Sequence, residues 1–529
     1  MEKSVISQFF NDRSIFVTGS TGLMGKVLVW KLLYSCPGIK KIFVLIRSKR
    51  GKSALLRYQE IIKAPLFDSI RKTNKSLLSK LQVVCGDVGL EGLGISEEMK
   101  EKLISDVSIV FHGAATLNLD ASLNEAINLN TTGTLRMLEF CSNMKKLEAF
   151  VHFSTAFCHV DLDTLNEEVH KSAFDAHNIM RLPSWLDENS IKMVTPHLIN
   201  PHPNTYTFSK RLAEDVVSDF YPQLPVVIAR PSIVTPALKE PLPGWVDNLN
   251  GPTGILAAGG KGVLRSILCN SEYTAEAVPV DFAINAVIVI AWKTAITKQK
   301  QVQPIDYAYY KTTAVPVYNL TQHNLNPITW ETVMTKGREE TMKNPFELML
   351  WYPTGSLTSN RFLHTYKVIC YHWIPAYLID GILFLLGQKR FMIRVQQKIS
   401  DGLRVLQYFT LRNWDFTNDR LLALRESLCD VDRKEFNMDF EKMDMDAYFR
   451  DCILGARQYC LKEDPASIPK ARKTLKVWSK NTLRVRLGGD IPEVRSRRLA
   501  AVQDVRSGFG YRLSRNDVIT RYIIIITIS

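Results

Sequence analysis

The 529-residue chain lacks several things that would simplify its classification. Its nine cysteines (positions 36, 85, 141, 158, 269, 370, 429, 452 and 460) include no C-x-x-C pair. That argues against a zinc ribbon or a disulfide framework and suits a reducing compartment. The opening stretch MEKSVISQFFNDRSIF has no apolar run behind a basic leader, so no secretory signal is expected and an intracellular protein is. No repeat at a period of 20–50 residues and no long low-complexity tract interrupts the chain. Hydrophobic residues make up 46% and charged residues 23%, which excludes a disordered or fibrous chain.

What is present first is an excess of positive charge, +14. Residues 470–521 hold 14 Lys and Arg against four acids, so ten of those charges belong to this stretch. Residues 1–469 are nearly balanced. The charge therefore describes the C-terminal region rather than a nucleic-acid-binding body, and no nucleic-acid partner is expected.

Six near-continuous apolar, β-branched runs punctuate the first 230 residues: SIFVTG (14–19), KIFVLIR (41–47), LQVVCG (81–86), VSIVFHG (107–113), AFVHFS (149–154) and PVVIAR (225–230). Helical stretches separate them. Strands buried on both faces and joined by helices predict a doubly wound parallel α/β sheet of Rossmann type. Residues 355–470 read as mainly helical, with a boundary in the polar, Pro-containing stretch near 321–355. The expected organisation is a nucleotide-binding and catalytic domain over 10–330, a helical domain over 355–470, and a divergent, poorly ordered basic tail over 471–529.

The first strand runs into Gly19-Ser20-Thr21-Gly22-Leu23-Met24-Gly25, a G-x-x-G-x-x-G turn opening a helix. Gly19 allows the tight turn and Gly22 lets backbone amides approach a pyrophosphate. Gly25 permits close helix–strand packing, and the helix N-terminus supplies positive potential. A carboxylate about 20 residues later would mark NAD. Residues 40–50, KKIFVLIRSKR, contain none; Arg47, Lys49 and Arg50 would instead welcome a 2′-phosphate, so NADPH is expected. Asp87, followed by Val88, ends the third run where an acid could accept from the adenine amino group. Ala114 and Ala115 keep the end of the fourth run small, where bulk would collide with a cofactor.

Tyr206-Thr207-Phe208-Ser209-Lys210 is a Y-x-x-x-K whose two functional residues share a helix face. Pro203-Asn204-Thr205 supplies helix-start residues immediately before it. A Tyr beside a Lys ammonium can pass a proton to a carbonyl oxygen as hydride reaches the carbon, with the cation expected to lower the phenol's pKa. Either Thr155 or Ser154, after the fifth run, is placed to polarise that carbonyl, with Thr155 favoured.

These residues resemble the extended short-chain dehydrogenase/reductases, and more closely the insect-type fatty acyl-CoA reductases. The matching stretches include TGSTGLMGK (18–26), HFSTAFC (152–158), YTFSKRLAE (206–214), RPSIV (230–234), EPLPGWVDNLNGPTG (240–254), WYPTGSLTSNRFLH (351–364) and YCLKEDPASIPKAR (459–472). Leu23-Met24 stands where the family usually has Phe-Leu, and YTFSK replaces the commoner YTFTK. The resemblance implies NADPH-dependent reduction of a long-chain fatty acyl-CoA to a primary alcohol and CoA through an aldehyde-level intermediate. It implies Tyr206 and Lys210 as the catalytic pair, and Pro231-Ser232-Ile233 beside the nicotinamide. Asn130 would order the hydrogen bonds of the site, and the helical region would form the acyl-chain and CoA site. Two other readings use the same motifs: another extended short-chain oxidoreductase or epimerase, and a non-catalytic NADP-binding regulator. Neither accounts for the PGWVDNLNGPTG block together with an intact Tyr–Lys pair.

Val368–Gly387 is the most apolar long stretch, yet it carries His372, Pro375 and Asp380. It reads as a borderline span, an interfacial segment, a tunnel lining or a buried core helix. Association with an intracellular membrane, endoplasmic reticulum or peroxisome, with the catalytic domain facing the cytosol, is expected from the water-insoluble product.

Overall fold

A computed structural model describes residues 4–300, 314–323, 325–439, 441 and 443–486. Each of the six apolar runs forms a strand with ends within a residue or two of those read from the sequence: β1 (Ser14–Thr18), β2 (Lys41–Ile46), β3 (Leu81–Cys85), β4 (Val107–His112), β5 (Ala149–Phe153) and β6 (Val226–Pro231). A seventh, β7 (Val317–Leu320), joins them in one sheet with the order β7-β6-β5-β4-β1-β2-β3. Every pairing in the sheet is parallel. Chain direction across the sheet reverses between β1 and β4. In doubly wound sheets ligands bind in the crevice outside the carboxyl ends of the strands at such a switch.

The helices that matter below are α1 (Leu23–Ser35), α2 (Thr205–Asp219), α3 (Val280–Lys300), α4 (Trp330–Lys343), α5 (Arg361–Val368), α6 (Ile374–Leu385), α7 (Met392–Thr410), α8 (Met445–Gly455) and α9 (Ile468–Arg486). A core of Phe16, Val110, Phe150 and Ile228 from the sheet packs with Phe208, Leu212 and Val216 of α2. Helix α3 is apolar enough to cross a membrane, but 72% of its apolar window is buried inside the protein, which makes it a core helix.

The chain divides into two compact units. The first comprises residues 1–242, 276–327 and 414–443 and contains the sheet. The second comprises 243–275 and 328–413, with the chain from 444 onward. This differs from contiguous blocks at 10–330 and 355–470: the chain leaves the sheet unit at Pro243 and re-enters it twice. Within the second unit the reason is visible at Gly244, whose φ is +69°. A Cβ on Gly455 would overlap the Gly244 carbonyl, and one on Gly244 would overlap the Asp451 carbonyl, so only two glycines allow this loop to meet α8.

The start of the basic region also differs from a poorly ordered tail. Through Arg486 it is helix α9, begun by Asp464, whose side chain accepts from the Ala466 amide at 2.8 Å in the preceding turn. The remainder of the tail reading, 487–529, lies outside the described residues.

Candidate functional site

The glycine turn leaves β1 at Gly19, in the left-handed region with φ +76°. A Cβ here would strike the Gly113 carbonyl at the end of β4, so the turn crosses the switch point only as glycine. A Cβ on Gly25 would overlap the Gly19 carbonyl, so α1 starts flush against the turn. Gly22 is the N-cap of α1, and a Cβ there would meet only the Gly19 oxygen at 3.4 Å. No side chain caps the helix, so its first amides are free to meet an anion. Among the described residues, Ser20 Oγ and Ser232 Oγ are buried without a hydrogen-bond partner. An open turn, uncapped amides and orphaned hydroxyls suit a dinucleotide, with Thr21, Leu23 and Met24 on the turn and the first helical turn.

The cations past β2 collect around this turn. Arg47 Nη1 is 3.2 Å from Asp87 Oδ2, which joins the two residues assigned to opposite ends of the adenosine. Asp87 also accepts from the Gly89 amide at 3.0 Å, and its neighbour Val88 is buried. Arg57, on the helix Ala54–Ile62, was not singled out from the sequence. It donates to the Arg47 carbonyl at 2.5 Å and to Thr21 Oγ1 of the turn at 3.1 Å. Partial burial, and then neighbouring Arg47, press its pKa down; burial, Arg47, Arg50 and Arg57 do the same to Lys49. Four cations crowded together, two of them with lowered pKa values, favour an incoming anion. The signal that could have found Arg57 was the lack of any acid between residues 40 and 59.

Ala114 and Ala115 follow β4, where the Ala114 amide donates to Thr18 Oγ1 at 3.1 Å. Asn130 sits fully buried in a π-helical turn, Ile127–Thr132. Its Oδ1 accepts from the Thr116 amide at 2.8 Å, and its Nδ2 donates to Ser209 Oγ at 2.9 Å. Thr131 Oγ1 donates to the Ser209 carbonyl at 2.9 Å. Two adjacent side chains thus hold the residue just before Lys210 in the Y-x-x-x-K motif.

Helix α2 is capped by Asn204, whose Oδ1 accepts from the Thr207 amide at 2.9 Å. Lys210 is buried and donates to the Phe153 carbonyl, the last residue of β5, at 2.6 Å. Burial lowers its pKa to about 8. That contact brings α2 to Ser154 and Thr155, both buried. The two hydroxyls divide: Thr155 Oγ1 accepts from the Phe157 amide at 3.3 Å and acts to lower the pKa of the Tyr206 phenol, whereas Ser154 Oγ faces Cys158 Sγ at 3.8 Å. Tyr206 differs from expectation. Its side chain is partly exposed but densely surrounded, and this desolvation pushes the phenol above its ordinary value of 10.0. The Lys ammonium, spent on Phe153, does not reverse this; Thr155 opposes it. The site therefore stores a protonated phenol.

Behind the motif lies a buried ionic cluster with no role assigned from the sequence. Arg230 donates through Nε and Nη2 to the two oxygens of Glu214 at 2.8 and 2.6 Å, with neither side chain exposed. His159 Nε2 lies 2.9 Å from Glu214 Oε2, and Cys158 Sγ donates to Glu214 Oε1 at 3.2 Å. Cys158, His159 and Glu214 are close enough to ligate a cation, but the Arg230 guanidinium already supplies positive charge there. Glu214 is four residues past Lys210 on the same helix face, the one signal that pointed to it. Pro231 ends β6, Ser232 follows it, and the amide of Ile233 donates to the Glu276 carbonyl at 3.1 Å.

Two family models, both described as male sterility protein, match residues 17–287 and 371–463. Fatty acyl-CoA reductase 2 of Mus musculus is 36% identical over 473 residues, 89% of each chain. The chain belongs to the fatty acyl-CoA reductase family. The reductase wat of Drosophila melanogaster is 35% identical over 92% of each chain, and the human fatty acyl-CoA reductase 2 is 35% identical over 89%. Among solved structures, the reductase domain of a nonribosomal peptide synthetase from Mycobacterium tuberculosis aligns with a TM-score of 0.52 at 16% identity, over 87% of this chain and 93% of that one. The terminal reductase domain of the myxalamid pathway aligns with a TM-score of 0.51 at 17% identity, over 85% and 91%. These neighbours share the fold: a Rossmann-type sheet with a helical C-terminal region.

Proposed function

We propose that the protein reduces a long-chain fatty acyl-CoA to the fatty alcohol with NADPH. Thioester, NADPH and a proton give aldehyde, CoA and NADP⁺; aldehyde, a second NADPH and a second proton give the alcohol. The nicotinamide cofactor supplies both hydrides. Tyr206, protonated at neutral pH, donates the proton to the carbonyl oxygen. Thr155 polarises the same oxygen. Lys210, held at the end of β5, carries the positive charge beside them.

NADPH rather than NADH is favoured by Arg47, Lys49, Arg50 and Arg57 around the turn, with no acid from 40 to 59 to repel a 2′-phosphate. The turn residues Gly19 to Gly25 hold the pyrophosphate, Asp87 and Val88 flank the adenine, and Ala114, Ala115, Pro231, Ser232 and Ile233 border the nicotinamide. A location on an intracellular membrane, with the sheet unit in the cytosol, fits the insolubility of the product.

The family membership over nine-tenths of the chain, with Tyr206 and Lys210 intact on one helix face, carries this reading. Its test is incubation of the expressed protein with NADPH and acyl-CoAs of graded chain length, with extraction of the lipid products. Fatty alcohol and free thiol in equal amounts are expected. Absence of alcohol at every length would refute it.

A further inference from the structure

Helices α5 and α6, joined through a π-helical turn at Ile369–Trp373, form one apolar helix over Arg361–Leu385, with only 17% of its apolar window buried. Its polarity is inverted. The buried side chains are His364, His372, Ala376 and Asp380, one stripe along the helix. His364 Nδ1 meets Ser266 Oγ at 2.9 Å, and His372 Nε2 accepts from the Arg265 amide at 2.9 Å. Asp380 accepts from the backbone amides of Phe391, Met392 and Ile393 at 2.9, 2.9 and 3.0 Å, capping the start of α7. Facing outward instead are Phe362, Tyr366, Tyr377, Leu378, Phe384 and Leu385, with exposures from 59 to 89%.

A helix that hides its polar residues and shows its apolar ones expects an apolar medium on its outer side. At 1.5 Å per residue it is about 37 Å long, enough to span a bilayer. Its three polar anchors, however, are spread over the 17 residues from His364 to Asp380 and are all committed to the second unit. Spanning would strip these anchors or draw β-strand and α7 backbone into hydrocarbon. Charge identifies the medium. From Arg361 to Arg394 the chain carries Arg361, Lys367, Lys389, Arg390 and Arg394 against a single acid, the buried Asp380. Arg361, Lys389, Arg390 and Arg394 are exposed, at the two ends of the apolar face. Apolar and aromatic side chains bordered by cations match a lipid headgroup boundary with anionic lipid.

We propose that Arg361–Leu385 lies flat in the surface of an anionic phospholipid bilayer and docks the protein there without crossing it. This deepens the membrane location proposed above and does not depend on the reductase chemistry. The full chain is mixed with vesicles of phosphatidylcholine, with and without phosphatidylserine, and floated on a density gradient. A variant carrying Leu378→Glu, Phe384→Glu and Leu385→Glu changes only exposed side chains, and its fold is followed by thermal melting. The wild type is expected to float, more with phosphatidylserine, and the triple variant to lose vesicle binding by about tenfold or more. Its melting temperature and its reduction of a water-soluble short-chain acyl-CoA should stay unchanged. Equal flotation of the two proteins would overturn the proposal. So would a lipid-free dimer that the triple variant turns into a monomer, because a second copy would then cover this face. Absence of reductase activity in both proteins, with the wild type floating and the triple variant not, would instead refute the enzymatic reading alone.

Discussion

Arg230 and Glu214 face each other in full burial, two guanidinium nitrogens on two carboxylate oxygens at 2.6 and 2.8 Å, one helical turn past Lys210 of the Y-x-x-x-K motif. Both carboxylate oxygens are further contacted, by Cys158 and His159, so this pair fixes α2 against β6 and the loop after β5. Removing one partner leaves a buried charge alone. Glu214→Ala should cost about 3–5 kcal/mol of stability, measured by denaturant unfolding. The sign of the pH dependence follows from the pair. Arg230 and His159 hold the Glu214 carboxyl well below its ordinary value of 4.5 despite burial. Its contribution is complete above pH 4.5 and disappears as pH falls toward the folded value. The Glu214→Ala protein should therefore lose less stability than wild type across that acid range.

Asn130 should matter for rate more than for affinity. It links the Thr116 backbone to Ser209, between Tyr206 and Lys210. In Asn130→Ala, the freed Thr116 amide and Ser209 hydroxyl cost about 1–3 kcal/mol in organising the site. Steady-state kinetics should show kcat falling about tenfold or more with KM for NADPH little changed. Equal loss in both constants would point to a general folding defect.

Arg57→Ala tests the cation cluster. Losing a charge-assisted contact worth about 1.5–3 kcal/mol should raise KM for NADPH about tenfold or more and leave KM for NADH nearly unchanged. The ratio of the two kcat/KM values is the measurement.

Lys210 sets the alkaline limit. Its pKa is lowered to about 8 by burial, so the ammonium is present at neutral pH and is lost as pH rises through that value. The pH profile of kcat/KM should fall above about 8. Stability should move the other way: the unfolded chain, with Lys near 10.5, binds more protons between 8 and 10.5, so this group makes folding more favourable as pH rises there.

Much of this architecture was legible because the physics is local. Runs such as KIFVLIR announce buried parallel strands, and Asn204 before Tyr206 announces the start of α2. Strand β7 escaped notice because it is four residues long and lies beyond α3. Arg57 and Glu214 escaped because their meaning depends on partners far along the chain, Thr21 at 36 residues and Arg230 at 16. The raised pKa of Tyr206 was inaccessible for a similar reason. Spacing shows that a lysine is near, but not that its ammonium is held by the Phe153 carbonyl. The interleaving of the two units was hidden because apolar periodicity marks elements, not the unit that each one joins.

The most direct measurement uses NADPH deuterated at both C4 positions, a long-chain acyl-CoA and mass analysis of the alcohol, for wild type and Tyr206→Phe. The account predicts two deuterium atoms on the carbinol carbon with wild type. For the variant it predicts a rate lower by about 10²–10⁴-fold, with NADPH binding retained. Unlabelled alcohol, or a Tyr206→Phe protein as fast as wild type, would contradict it.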